Sequence, residues 1–171
     1  FPSGNEDCDD GNTDDADACP NSCLYPPLIC GATETLVEIA ATDLPQPITD
    51  ASPAVSTISV PTAGTVTNVA ARVNITHGWT ADVDITLRAP NNTQIELSTD
   101  SGSSGDNFVN TLFTTAASIA ITAGAPPYNA MFLPEGMLSA FNGGPANGNW
   151  VLTAADDLSG FSGTFDELTL Y

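Results

Sequence analysis

Basic side chains are almost missing from this sequence. Its 171 residues hold no lysine and only Arg72 and Arg88, against 21 carboxylates, for a formal charge of −19. A protein that grips a nucleic-acid duplex replaces counterions with Lys and Arg, which two arginines cannot do. Nucleic acid and anionic membrane surfaces are thereby excluded as partners. No run approaches 18 apolar residues, so no membrane-spanning helix is expected. A single histidine, His77, narrows the room for acid–base chemistry. Apolar residues make up 42% of the chain, enough to build a core rather than a disordered polymer. The length suits one ordinary domain with a small appendage.

The charge is uneven. Seven of the 21 acids (Glu6, Asp7, Asp9, Asp10, Asp14, Asp15 and Asp17) crowd the first 17 residues, and Cys8, Cys19, Cys23 and Cys30 all fall in the first 30. A segment so short and so poor in aliphatic residues cannot fold by burial alone, and needs cross-links or metal. Four clustered cysteines read as two disulfides formed in an oxidising compartment. A four-thiolate zinc site competes with that reading, but only Cys19 and Cys23 have knuckle spacing. Three pairings exist. Cys19–Cys23 would close a very short loop. That leaves Cys8–Cys19 with Cys23–Cys30, or Cys8–Cys23 with Cys19–Cys30, and the latter is adopted because it interlocks the segment more fully. A basic region followed by an apolar one is absent after Phe1, so a mature product or fragment is expected, its signal peptide encoded elsewhere. The cysteines point to secretion.

Three parts are expected: a cysteine-rich acidic segment over 1–31, an extended proline-rich lead-in over 32–54 whose later part belongs to the sandwich domain, and a β-sandwich over 55–171. Within the last, Val69, Ala71, Val73 and Ile75 alternate with Asn68, Ala70, Arg72 and Asn74, a period-two strand. Val83, Ile85 and Leu87 do the same, as do Trp150, Leu152 and Ala154. Shorter runs stand at Ile95–Leu97 and Ile119–Ile121. Phe165, Leu168 and Leu170 change parity once, which signals a β-bulge. Turns such as Ala89-Pro90-Asn91-Asn92 and Asn142–Gly148 separate the runs, and no helix is convincing. The fold class is therefore all-β, a jelly-roll-like sandwich with a small, irregular, disulfide-stapled N-terminal segment.

Catalysis finds little support. Ser159-Gly160-Phe161-Ser162-Gly163 lacks the spacing of a nucleophile elbow, so His77 has no serine to activate and is expected packed beside Trp79. Asp82/Asp84 and Asp156/Asp157 are carboxylate pairs of the kind glycosidases use, but such aspartates are common at strand ends of an acidic protein. Calcium makes better use of the acids, because hard cations take six to eight oxygen ligands. One candidate set is Asp82, Asp106 and Asp156, each at a strand end or turn of the sandwich. The other is Asp10, Asn12, Asp15 and Asp17, in a glycine-containing run that has the composition of a calcium loop without EF-hand spacing.

The segment from Ile75 to Val83 (Ile-Thr-His-Gly-Trp-Thr-Ala-Asp-Val), with Leu87-Arg88-Ala89-Pro90, resembles a block of the proprotein convertase P domain. The resemblance continues in Gly105–Phe113, in Pro134–Gly143, in Ala146-Asn147-Gly148-Asn149-Trp150-Val151-Leu152 with Asp156, and in Gly163-Thr164-Phe165; Pro47-Ile48-Thr49-Asp50 is similar to the family's lead-in. It covers about residues 36–171. Residues 5–23 resemble a myxococcal cysteine-rich repeat, with Ala16 and Ala18 in place of glycines. The P-domain resemblance implies a sandwich that is not itself an enzyme. Such a domain accompanies a secreted bacterial subtilisin-like or metalloprotease catalytic domain, aids its stability and in several members binds calcium. Ala81 and Val83 depart from the family's Gly and Leu, leaving Asp82 in place. The function expected is a non-catalytic, calcium-binding accessory domain whose partner is the neighbouring domain. Met131-Phe132-Leu133-Pro134 is either a contact patch for that neighbour or a plug of the sandwich. The alternative is an extracellular adhesion module holding a glycan or surface ligand, with Trp79, Tyr128 and Trp150 as the aromatics it would need.

Overall fold

The computed structural model describes residues 33–171. The four cysteines and the group Asp10, Asn12, Asp15 and Asp17 lie outside the described residues. Val37–Tyr171 form one compact unit. Its strands are β1 (Ile39–Ala40), β2 (Gln46–Ile48), β3 (Ala54–Val60), β4 (Ala71–His77), β5 (Val83–Arg88), β6 (Gln94–Ser98), β7 (Phe108–Phe113), β8 (Met131–Phe132), β9 (Gly148–Asp156) and β10 (Gly163–Leu170). The helical pieces among the described residues are short 3-10 turns at Thr80–Asp82, Ile121–Ala123 and Leu138–Phe141.

Two sheets form. A six-stranded sheet runs β1-β10-β4-β7-β8, with β2 also on β10, and a four-stranded sheet runs β3-β9-β5-β6. Every pairing is antiparallel except β7 with β8. Alternation explains the layering, because successive strand side chains point to opposite faces. In β4 Ala71, Val73, Ile75 and His77 are buried, while Arg72, Asn74 and Thr76 are not. In β5 Val83, Ile85 and Leu87 are buried, and in β9 Trp150, Leu152, Ala154 and Asp156. The apolar ones among these join Phe108, Phe113, Phe141, Phe165 and Leu168 in one core cluster. Each fully buried large aliphatic or aromatic side chain there contributes about 1.5–3 kcal/mol. Trp150 packs edge-on to Phe141, ring centres 5.2 Å apart, and its indole N–H donates to the Ala146 carbonyl at 2.9 Å.

The expected bulge is present, with the β10 register slipping between Phe165 and Glu167. The lead-in joins the sandwich, since β1 and β2 both pair with β10. One element differs from expectation. Ile119–Ile121 does not form a strand. It makes one bridge, Ala120 to Leu133, and then turns into a 3-10 helix, leaving Ile119 51% exposed. Phe132 is buried and Met131 half-buried, so that segment mainly plugs the sandwich.

Side chains close both edges of the four-stranded sheet. On β3, Asp43 accepts from the Ser56 hydroxyl at 2.6 Å and the Thr57 N–H at 2.8 Å. Gln46 accepts from the Val55 N–H at 3.1 Å and donates to the Val55 carbonyl at 3.0 Å. Beyond β6, the Gly136 N–H donates to the Glu96 carbonyl and Glu135 accepts from the Thr99 N–H. Bare edges invite pairing with other chains, and these contacts occupy them. Asp43→Ala leaves the fully buried Ser56 hydroxyl without its acceptor, so chemical denaturation is expected to show a loss of about 1–3 kcal/mol. Asp43→Asn, which keeps an acceptor, should lose less.

Candidate cation site

One end of the sandwich gathers charged groups that the sequence holds far apart. β4 ends on His77, and the chain then passes through Trp79 into the 3-10 turn Thr80–Asp82, which feeds directly into β5. Across from it β9 ends on Asp156, placed by the register Val83↔Asp156. The Asp157 N–H donates to the Asp82 carbonyl at 3.0 Å and locks the two strand ends together. His77, Asp82 and Asp156 are 1%, 4% and 7% exposed.

His77 approaches Asp156 with Nε2 3.4 Å from Oδ2, a distance at which neither atom is hydrogen-bonded. Its Nδ1 lies 2.8 Å from the Trp79 carbonyl. The backbone N–H of His77 donates to Asn107 Oδ1 at 2.9 Å, and Asn107 returns its own N–H to the His77 carbonyl. The ring thus faces a carbonyl and a carboxylate, with no serine hydroxyl bonded to it, as expected for a packed histidine.

Asp82 carries the electrostatic consequence. Burial raises its carboxyl above the ordinary carboxylate range, Asp156 adds to this, His77 opposes it, and Asp157 and Asp50 reinforce it. Asp84 is raised in the same way, first by burial and then by Asp157 and Asp100. Its Oδ1 is buried without a partner.

The loop between β6 and β7 lies against the 3-10 turn: the Thr80 N–H donates to the Gly105 carbonyl at 2.8 Å and the Ala81 N–H to the Ser103 carbonyl at 3.3 Å. Left-handed backbone at Asp100, Gly102, Ser103 and Asn107 shapes it. Gly102 is essential to the fit, because a Cβ there would collide with the Thr80 hydroxyl and the Pro126 ring. Asp106 sits in this loop but is exposed. Of the three aspartates singled out in the sequence, Asp82 and Asp156 are therefore buried together, with Asp106 outside them. Sequence reasoning did not connect His77 to Asp156 or Asn107 to His77. The Asn residue type, which tolerates left-handed backbone, was the available signal for the latter.

The donor set suits a hard cation in two respects: it is anionic and oxygen-rich, and it contains the orphaned Asp156 Oδ2. It falls short in number. Among the described residues no three or more His, Cys, Asp or Glu side chains are spaced to hold a metal, so carbonyl or water oxygens must complete any shell. Because the native pKa of Asp82 is raised, its ionised form weakens the fold above that pKa, and the penalty disappears as pH falls through it towards the ordinary aspartate range. Asp82→Asn should therefore melt higher than the wild type at neutral pH in chelator, and this gain should shrink on acidification. Melting curves of both proteins across the pH range check it.

No curated protein matches the chain. Among solved structures it is similar to the serine protease of Aeromonas sobria in complex with a chaperone, at 16% identity and a TM-score of 0.49, over 79% of this chain and 26% of that one. It is also similar to a structure of the Aeromonas sobria serine protease, at 17% identity and a TM-score of 0.49, over 80% of this chain and 27% of that one. The chain spans about a quarter of the length of those structures. Residues 66–171, more than half of the chain, match the proprotein convertase P-domain. This stretch includes β4 to β10 and with them His77, Asp82 and Asp156. The chain belongs to the proprotein convertase P-domain family.

Proposed function

We propose that this chain is the non-catalytic accessory domain of a secreted bacterial protease, that it stabilises the catalytic domain it accompanies, and that it binds calcium through Asp82 and Asp156. The observation that carries the calcium reading is the burial of these two carboxylates at one end of the sandwich, where Asp156 raises the Asp82 carboxyl and, among the described residues, His77 is the side chain that opposes it. Uncompensated buried carboxylates weaken a fold, and a divalent cation supplies the missing charge. Family membership supports the accessory role. Among the described residues no helix is long and apolar enough to cross a membrane, which agrees with an extracellular domain.

The glycan-binding alternative has one observation in its favour. Trp79 and Phe161 lie 5.5 Å apart, tilted by 31°, and Phe161 is 45% exposed. Tyr128 and Trp150 are buried, which leaves Trp79 of the three aromatics this reading would need. Saturable binding of an oligosaccharide abolished by Phe161→Ala would favour it.

Calcium should raise the melting temperature of the chain and EDTA lower it. At 100-fold excess over its Kd the ion adds about 2.7 kcal/mol through mass action on the native state. Asp156→Asn should abolish the response. A melt indifferent to calcium contradicts the calcium reading; a protease catalytic domain encoded beside this one tests the accessory role separately.

A further inference from the structure

On the solvent face of the six-stranded sheet, two strands break register against the same stretch of β4. β10 carries one extra residue between Phe165 and Glu167, and β7 carries one opposite Val73–Ile75. In a regular strand Asp166 and Glu167 would point to opposite faces, and an inserted residue re-aims side chains. Here both reach β4. Asp166 Oδ2 accepts from the Thr76 N–H at 3.1 Å and hydroxyl at 2.8 Å, and Glu167 Oε2 accepts from Asn74 Nδ2 at 2.8 Å. On the other flank Val109 and Asn110 are consecutive yet both exposed, with left-handed backbone at Asn110 (φ 49°) and Asn107 (φ 68°). The Asn110 N–H donates to Asn74 Oδ1 at 2.6 Å, fixing the floor.

Between the bulges lies a cleft of about 260 Å³, lined by Asn74, Thr76, Asn107, Val109, Asp166 and Glu167 among others, with no basic side chain in its wall. The hydrogen bonds to Asp166 and Glu167 fall on one oxygen of each, and among the described residues no donor reaches the other. The volume is below the usual range for a drug-sized ligand and suits a single side chain. The chain's charge of −19 repels anions from the cleft, and the two carboxylates favour a cation. Val109, 40% exposed, offers an apolar wall for an aliphatic stem.

We infer that this cleft receives one arginine side chain of a peptide segment from another protein, the guanidinium donating to Asp166 and Glu167 and the stem lying on Val109. A planar fork of five donors matches paired carboxylate oxygens better than a hydroxylated ring does. The inference is independent of the calcium reading, which concerns Asp82 and Asp156.

The test is a proton–nitrogen NMR titration of the 171-residue chain with a blocked Gly-Arg-Gly peptide and, in parallel, the same peptide with citrulline. Arginine should shift the amides of Asn74, Val109 and Glu167, weakly at high salt, and citrulline should not. Asp166→Asn with Glu167→Gln keeps acceptors for Thr76 and Asn74 while removing the charge. It should abolish the shifts with little change in melting temperature, and Glu167→Gln alone, should the double variant fail to fold, should weaken binding about tenfold. Absent shifts, equal shifts with citrulline, shifts at the same amides with calcium chloride or a neutral oligosaccharide, or undiminished binding by the variants would each overturn the proposal.

Discussion

The approach of His77 to Asp156 joins, at one end, two sheets whose shared core is apolar. His77 ends β4 in the six-stranded sheet, whereas Asp156 ends β9 in the four-stranded one. Asp82 joins them at the start of β5. A group of this kind is costly to bury, and removing His77 would leave the two carboxylates without the side chain that opposes their charge. Its surroundings are built accordingly. Asn107 holds the His77 backbone from both sides, the Asp157 N–H ties β9 to the turn before β5, and the β6–β7 loop covers that turn through Thr80 and Ala81.

The acids fall into two groups by their hydrogen bonding. The exposed carboxylates Asp43 and Glu135 have ordinary structural duties, accepting hydrogen bonds from the edges of β3 and β6. Asp82 and Asp156 have no comparable set of donors. Packing alone gives no reason to place two such groups side by side away from water, whereas a cation does. The negative charge is thus used in at least two ways, as edge protection and as a buried anionic end.

Much of the architecture was legible from alternation. β4, β5 and β9 were read with the correct inward faces because apolar residues recur at every second position, and the parity change of Phe165, Leu168 and Leu170 located the bulge. β3 escaped because it reverses the usual chemistry: Ser56 is fully buried while Val55 is 41% exposed. Tyr128 has the composition of a surface aromatic but is 0% exposed, stacked on Phe108 and edge-on to Phe132. The site was half legible. Strand-end position pointed to Asp82 and Asp156, but their meeting depends on the register of β5 against β9, a long-range pairing that local sequence does not encode. Asp106 shares the turn signal with them and is exposed, because the loop fits the 3-10 turn through its carbonyls.

The most direct measurement is a crystal structure grown with calcium, with an anomalous difference map at this end of the sandwich. An anomalous peak between the carboxylates of Asp82 and Asp156, its shell completed by carbonyl or water oxygens, is the predicted result. A well-ordered map with no peak there, and with His77 Nε2 in direct hydrogen bond to Asp156, would contradict the account.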